Sequence, residues 1–220
     1  MISTETLVHC LANGSKGPGV PKRAVVIHFD DGYRDNASDA APLLRAADLP
    51  AAFFIASGFI DTSRSFEHDK TKSPHRFENM TSEHVRQLAR EGFEIGAHTV
   101  NHVDLGSVDA QTAVKEIVES RRALECILGA PVSLFSYPFG RPENITEDAR
   151  TVIRDAGYRA LFSAYGGAVQ KKTDVLDIPR NGASSEHRPL DVMMEVAGLS
   201  LRDIAARFLQ FRPSSARTAM

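Results

Sequence analysis

The chain has 220 residues, 42% of them hydrophobic and 25% charged, a balance typical of one globular domain. This composition excludes a disordered tail, a collagen-like chain and a small protein built on disulfides. Its 26 basic and 28 acidic residues give a formal net charge of −2, so the sequence predicts no nucleic-acid partner.

Apolar runs and helical patterns alternate along the chain. We expect strands at 24–29, 51–55, 93–96, 132–137 and 158–163, and a shorter one at 176–178. We expect helices at 37–47, from Thr81 or Ser82 to 91, at 109–128, at 146–156 and at 201–211. Repeated strand–helix units predict a parallel sheet or barrel, formed here as a single domain over residues 1–220 with C-terminal helices at 190–211 packed on it.

Two of the predicted helices carry further signals. Asp109 is the expected N-cap of the long helix at 109–128, and its expected apolar face comprises Val114, Ile117, Leu124 and Leu128. The segment from Asn144 to Glu147 fits a helix start better than a glycosylation acceptor, although Asn144-Ile145-Thr146 matches the acceptor pattern.

The polar connection at 57–80 is long for a link between two elements. It is therefore either a functional lid or disordered.

The cysteines and the N-terminal residues bear on redox state and cellular location. The two cysteines, Cys10 and Cys126, form no paired motif, so we expect free thiols, with one long-range disulfide as the alternative. No stretch reaches the ~18 consecutive apolar residues of a membrane-spanning helix. The first residues lack the pattern of a secretory signal, which predicts a cytoplasmic protein as written, or a cell-envelope protein if the N-terminus is trimmed.

Three polar clusters directly follow predicted strands. Asp30 and Asp31 are adjacent carboxylates, which repel each other unless a cation lies between them or one of them is protonated. His98 and His102 have the spacing that lets two imidazoles hold one Zn²⁺. The third cluster is an irregular loop, Tyr137-Pro138-Phe139-Gly140, whose backbone N–H groups can face a ligand.

Each cluster alone also fits an ordinary surface turn, but together they fall where an α/β fold gathers its chemistry. One carboxylate and two imidazoles leave open positions for water and substrate, which predicts a divalent metal, in our reading Zn²⁺. The other carboxylate would then serve as a base.

At these residues the sequence resembles a known family. The segments Phe29-Asp30-Asp31-Gly32, His98 to His102 and Tyr137 to Gly140, in this order, are similar to those of polysaccharide deacetylases of carbohydrate esterase family 4, the NodB-homology domain. The resemblance covers about residues 24–182. It implies a distorted, incomplete (β/α) barrel and a metal-dependent hydrolase that removes N-acetyl groups from an amino-sugar polymer or oligosaccharide.

The resemblance also implies roles for individual residues. Asp30 matches the catalytic base, and Arg180 resembles an arginine that orients this base. The Phe139 N–H matches a donor of the oxyanion hole, with Tyr137 and Pro138 in the same loop. The implied metal ligands are Asp31, His98 and His102.

The sequence departs from the family pattern at several positions. Ser136 stands where an arginine is common, and His28 replaces a threonine or serine; His28 is either buried and hydrogen-bonded or acts behind the site. No Leu-x-His motif supplies the catalytic acid, so His187 is the candidate, unless Asp30 returns its own proton. The chain has no tryptophan, which disfavours a long stacked glycan as the substrate.

Two other functions remain open at this point. Relatives of this fold hydrolyse C–N bonds in small amides or cyclic imides. A catalytically inactive module that binds a glycan or a metal is the third alternative. The sequence indicates no particular oligomeric state.

Overall fold

A computed structural model of the protein describes residues 1–183, apart from 15, 16, 18, 22 and 73–76. Residues Met1–Asn181 form one compact unit. The expected helices at 190–211 and the candidate acid His187 lie outside the described residues. No helix in the described ranges has the length and apolarity needed to cross a membrane.

Five parallel strands form one sheet in sequential order, which confirms the predicted strand–helix alternation. The strands are β1 (His28–Phe29), β2 (Ala52–Ile55), β3 (Glu94–Ala97), β4 (Leu134–Ser136) and β5 (Ala160–Phe162). His28 pairs with Ala52, and Leu134 pairs with Ala160. A sequential order without a switch point curls the sheet into a half-barrel, so the expected incomplete (β/α) barrel is confirmed.

The helices are α1 (Thr4–Ala12), α2 (Ala41–Ala46), α3 (Glu67–Lys72), α4 (Ser82–Arg90), α5 (Ala110–Leu128) and α6 (Glu147–Asp155). A π-helical turn at Asn36–Ala40 leads into α2, and 3-10 turns occupy Ser57–Phe59 and Pro142–Asn144. The connection at 57–80 is thus partly helical in its described part.

Two hydrophobic layers cover the two faces of the sheet, following the alternation of side chains along each strand. Phe53 of β2 packs in the larger layer with Leu88 of α4, Ile117 of α5 and Ile153 of α6. The opposite, inner face is covered by α1. The buried residues of this smaller layer, from α1, the strands and the segment after β5, are Val8, Ala52, Phe54, Leu134, Ala160, Phe162 and Ile178.

Helix α1 was not predicted from the sequence. Ser3 caps it by accepting a hydrogen bond from the Thr6 N–H at 3.1 Å. The Glu94 carboxylate, at the start of β3, accepts hydrogen bonds from the N–H groups of Thr4 at 2.8 Å and Glu5 at 2.6 Å. A negative charge at the N-terminus of a helix stabilises the helix by roughly 0.3–1 kcal/mol. Glu94, 90 positions from Thr4 in the sequence, therefore contributes to the stability of α1.

Several predicted boundaries need correction. The first strand is shorter than predicted, although Ala52 N–H still donates to Ile27 O at 3.0 Å. Instead of a strand at 176–178, only Ile178 forms an isolated bridge, to Phe162. Val114 is 43% exposed and lies off the buried face of α5, whereas Ile117 and Leu124 are buried and Leu128 packs against the core, as predicted. Thr81 and Asp109 cap the starts of α4 and α5, and Gly129 caps the end of α5, as expected.

Asn144 does not begin α6. Thr146 caps that helix, accepting a hydrogen bond from the Ala149 N–H at 3.1 Å. Asn144 is buried at the end of a 3-10 turn, where its side-chain oxygen accepts a hydrogen bond from the Arg141 N–H at 3.0 Å. The predicted helix start at Asn144 is therefore two residues too early.

Both cysteines, Cys10 and Cys126, are free thiols.

Candidate metal and active site

The three predicted metal ligands come together at the carboxyl ends of β1 and β3. Asp31 Oδ1 lies 3.3 Å from His98 Nε2 and 3.2 Å from His102 Nε2. One atom of each residue lies within 4.8 Å of the other two. Two imidazole nitrogens and one carboxylate oxygen at this spacing fit a divalent metal with open coordination positions.

The backbone of the site adopts unusual conformations. Asp31, Thr99, His102 and Phe139 have φ angles of 73°, 62°, 56° and 63°, in the left-handed region that residues other than glycine rarely adopt. Each costs on the order of 1 kcal/mol. Neighbouring hydrogen bonds must therefore hold the loops that carry these residues.

His98 is oriented by the third strand-end loop. Its Nδ1 lies 2.8 Å from the Ser136 carbonyl oxygen, which can only accept, so we assign the proton to Nδ1. This leaves Nε2 free to face a metal. Burial lowers the pKa of His98, but the charges of Asp30 and Asp31 outweigh burial and raise it above its ordinary value.

Asp31 is held as a carboxylate. Burial raises its pKa, but the neighbouring imidazoles of His102 and His98 outweigh this and place the pKa of Asp31 well below its usual range. Burial also lowers the pKa of His102. A negative oxygen beside two imidazoles is the charge pattern of a cation site.

Asp30, the predicted base, is bound by the predicted orienting residue. Arg180 Nη1 donates to Asp30 Oδ1 at 2.9 Å, and Arg180 Nη2 donates to Asp30 Oδ2 at 2.7 Å. Burial raises the pKa of Asp30. The charge and hydrogen bonds of Arg180 lower it by more than burial raises it, so the pKa of Asp30 lies below its ordinary value. Asp30 is therefore ionised at neutral pH.

Ser136, at the position where relatives often have arginine, joins the same network. Its hydroxyl accepts a hydrogen bond from Arg180 Nη2 at 2.7 Å and donates to Asp30 Oδ2 at 3.3 Å. Arg180 Nε also donates to the Ser163 carbonyl at 2.7 Å. The positive charge beside the base is thus supplied by Arg180.

His28 lies on the inner face of the sheet, beneath the site. Its Nε2 is 3.0 Å from Thr4 Oγ1, and its ring meets the edges of Phe54 and Phe162 at 5.1 and 4.8 Å. Burial, together with the charge of Arg180, lowers the pKa of His28 to about 3. Of the two alternatives for His28, the structure supports the enclosed, hydrogen-bonded one.

The loop after β4 presents its residues to different environments. The Phe139 ring lies 4.9 Å from the His102 ring, beside the metal triad. Pro138 is the preceding loop residue, and its carbonyl accepts a hydrogen bond from the Gly140 N–H at 2.7 Å. Tyr137 instead buries its ring in the larger hydrophobic layer, 5.5 Å from Phe135, so only its backbone can reach the site.

The sequence analysis missed a polar cluster beside the triad. His68, on α3, has its Nε2 3.6 Å from Asp31 Oδ2 and 2.9 Å from the Tyr33 hydroxyl. Tyr33 donates to Asp69 Oδ2 at 2.7 Å, so we assign His68 Nε2 as the donor to the Tyr33 oxygen. No motif signalled this contact, because His68 lies in the connection that has no regular pattern.

Comparisons with known proteins agree with this geometry. The family model described as polysaccharide deacetylase matches residues 17–161. YxkH of Bacillus subtilis (strain 168) is 27% identical over 150 residues, which cover 68% of this chain and 48% of that protein. The poly-beta-1,6-N-acetyl-D-glucosamine N-deacetylase of Staphylococcus aureus is 25% identical over 169 residues, covering 73% and 54%. The chain thus spans about half the length of these curated relatives.

Solved structures share the fold. The Streptococcus pyogenes deacetylase PplD in complex with acetate has a TM-score of 0.72 and 21% identity, over 88% of this chain and 77% of that chain. IcaB from Ammonifex degensii has a TM-score of 0.70 and 20% identity, over 90% and 80%. Because the family model matches more than half of the chain, the protein belongs to the polysaccharide deacetylase family, as its three motifs led us to expect.

Proposed function

We propose that the protein is a metal-dependent hydrolase that removes N-acetyl groups from an amino-sugar polymer or oligosaccharide. The observation that carries this proposal is the pairing of an ionised Asp30, gripped by Arg180, with the adjacent Asp31–His98–His102 triad. Hydrolysis of an acetamide needs both a base and a cation at one place, and these residues offer both.

Asp31, His98 and His102 would hold the metal, for which we propose Zn²⁺. When bound, such a metal polarises the acetyl carbonyl and lowers the pKa of a water toward ~7. The fixed Nδ1 bond of His98 keeps its Nε2 directed to this position.

The remaining groups of the chain would move protons and stabilise charge. Asp30 would remove a proton from the attacking water, because its carboxylate is ionised and held in a fixed orientation. The Phe139 N–H would donate to the developing oxyanion, a contact worth roughly 3 kcal/mol. None of the hydrogen bonds formed between described residues uses this N–H.

The leaving amine must then receive a proton. His187 is the candidate from the sequence, and Asp30 could return the proton that it accepted. His68 is a third candidate, because it faces Asp31 Oδ2 from the side of α3.

Exposed aromatic side chains support a carbohydrate substrate. Within the described ranges, Phe139 at 49%, Tyr165 at 42% and Phe77 at 41% are the aromatic residues with large exposed fractions. Phe139 contacts His102, and Phe77 contacts Tyr33 at 5.6 Å, whose hydroxyl lies 2.9 Å from His68 Nε2, so these two rings lie beside the site. Aromatic faces around a polar centre bind sugar rings, which compensates for the missing tryptophan.

The proposed substrate also bears on location. The Staphylococcus aureus relative is named for poly-beta-1,6-N-acetyl-D-glucosamine. A polymer of this kind would favour the cell envelope over the cytoplasm for this protein.

The test is acetate release by the purified protein, loaded with Zn²⁺, from β-1,6-linked and β-1,4-linked N-acetylglucosamine oligomers and from a panel of small amides and cyclic imides. We expect release from oligomers, and a loss of about 100-fold or more in kcat for Asp30→Asn, which should retain metal. Turnover of small amides alone would support the second candidate function. Oligomer binding without any acetate release would support an inactive module.

A further inference from the structure

Glu116 is an acidic residue in the middle of a buried helix face. The buried positions of α5 are Ala113, Glu116, Ile117, Ser120 and Leu124. Glu116 is only 5% exposed. A carboxylate in such a place is costly unless hydrogen bonds compensate for the lost water, so its partners indicate what it does.

The partners are three N–H donors of the loop between the two histidine ligands. Glu116 Oε2 accepts hydrogen bonds from the N–H of Val100 at 2.9 Å and of Asn101 at 2.7 Å. Glu116 Oε1 accepts a third from Asn101 Nδ2 at 2.6 Å. A carboxylate can only accept and therefore satisfies all three donors, whereas a glutamine would turn its own N–H toward one of them.

A 3-10 turn holds the same loop from the other side. The Ser57 N–H donates to Thr99 O at 3.1 Å, and the Gly58 N–H donates to Val100 O at 2.8 Å. A Cβ added to Gly58 would lie 2.8 Å from Val100 O, so the turn approaches as closely as glycine permits. Arg64 also donates to Asn101 Oδ1 at 2.8 Å, which fixes the orientation of the Asn101 amide.

The loop between His98 and His102 is therefore held through its carbonyls by the turn and through its amides by Glu116. Thr99 and His102 have left-handed backbone conformations. Without restraint, residues of these types would leave that conformation. Relaxation there would rotate His102 away from His98 and separate the two ligand nitrogens.

We propose that Glu116 is a positioning residue that fixes the separation of His98 and His102 and so sets the affinity of the protein for its divalent metal. This inference rests on the metal site of the proposed function. Glu116 does not bond either histidine in the structure; it acts through Val100 and Asn101.

The test is metal binding by the metal-depleted full chain, measured by competition with a chromogenic chelator for Zn²⁺ and by the d–d absorption of added Co²⁺. For Glu116→Gln we expect the dissociation constant to rise about 10- to 100-fold and the Co²⁺ bands to weaken. The matched control is Ser120→Ala, which removes another buried polar group of α5, one that donates to Ile117 O at 2.9 Å. We expect its metal affinity to stay within about twofold of the wild type.

A polarity swap keeps the test decisive if Glu116→Gln folds poorly. In the double variant Glu116→Gln with Asn101→Asp, the glutamine N–H can donate to the new carboxylate, which reverses the side-chain bond. We expect the double variant to fold and to bind Zn²⁺ at least about tenfold more tightly than Glu116→Gln. If Glu116→Gln cannot be purified, we expect the double variant to be purified and to bind Zn²⁺. A double variant no better than the single one would overturn the inference.

The two proposals fail in different ways. If the wild type binds no stoichiometric Zn²⁺ or Co²⁺, the metal site itself is wrong. If the wild type binds one equivalent and Glu116→Gln binds equally tightly, the site stands and the role of Glu116 is wrong.

Discussion

Arg180 and Asp30, 150 positions apart in sequence, meet through two parallel hydrogen bonds of 2.9 and 2.7 Å. The flat guanidinium matches the carboxylate, so Arg180 fixes both the charge and the direction of Asp30. The remaining Arg180 bonds, to Ser136 and Ser163, hold the guanidinium itself in place.

Replacing Arg180 should therefore alter the pH dependence of turnover. Asp30 must be ionised to act as a base, so activity falls as the pH drops through its pKa. Arg180 keeps that pKa low, and Arg180→Ala should raise it and move the acidic limb of kcat/KM to higher pH. We expect about a 100-fold loss in kcat for Arg180→Ala, and a smaller loss for Arg180→Lys, which keeps the charge. An acidic limb that stays in place in Arg180→Ala would contradict the assigned role of Arg180.

His98→Ala and His102→Ala should each abolish stoichiometric metal binding, because two protein ligands hold a divalent ion far more weakly than three. Elemental analysis after dialysis measures this directly. His9→Ala, at an exposed position on α1, is the matched control and should keep the wild-type metal content. Full metal content in either ligand variant would show that the residue is not a ligand.

The proton donor to the leaving amine can be identified with two substrates. An aryl acetate has a leaving group that needs no protonation, whereas an N-acetyl sugar does need it. A variant that lacks the acid should lose about 100-fold in amide turnover and keep its aryl acetate turnover. We expect this selective loss for His187→Ala. A selective loss of amide turnover in His68→Gln, with His187→Ala unaffected, would instead identify His68 as the proton donor. If neither variant shows a selective loss, Asp30 is the donor.

His28 should make the folded protein sensitive to acid. Its pKa is lowered from 6.5 to about 3 on folding, so the unfolded chain takes up a proton that the folded one refuses. Stability should therefore fall as the pH drops from 6.5 toward 3, by about 2 kcal/mol at pH 5 from this residue. Urea unfolding at pH 7 and pH 5 should show a smaller loss in His28→Thr than in the wild type. Equal losses in both proteins would exclude this contribution.

The fold was largely predictable because its strands are short apolar runs that end in polar residues. The positions of Asp30, Asp31, His98 and His102 followed from one rule, that parallel strands gather their carboxyl ends at one edge. Arg180, which comes from beyond β5, was identified only through the family resemblance.

What escaped prediction depends on contacts between distant parts of the chain. Helix α1 needs the Glu94 carboxylate, and no local pattern announces that partner. Glu116 was missed because a charged residue was not expected on the apolar face of α5, although the spacing of Ala113, Ile117, Ser120 and Leu124 puts it on the buried side. Tyr137 could have been assigned to the core, since it alternates with Ser136 along the strand direction.

Asp31, Thr99 and His102 hold left-handed backbone conformations that only the folded chain maintains. Metal binding at this site is therefore coupled to the stability of the whole domain. An ion that binds only the folded chain shifts the unfolding equilibrium, by about 2.7 kcal/mol when its concentration is 100 times its dissociation constant. The melting temperature then rises by several degrees, and the rise grows with the logarithm of the affinity. Thermal melting across a series of divalent ions would therefore rank the affinities of the site for these ions, with no substrate required.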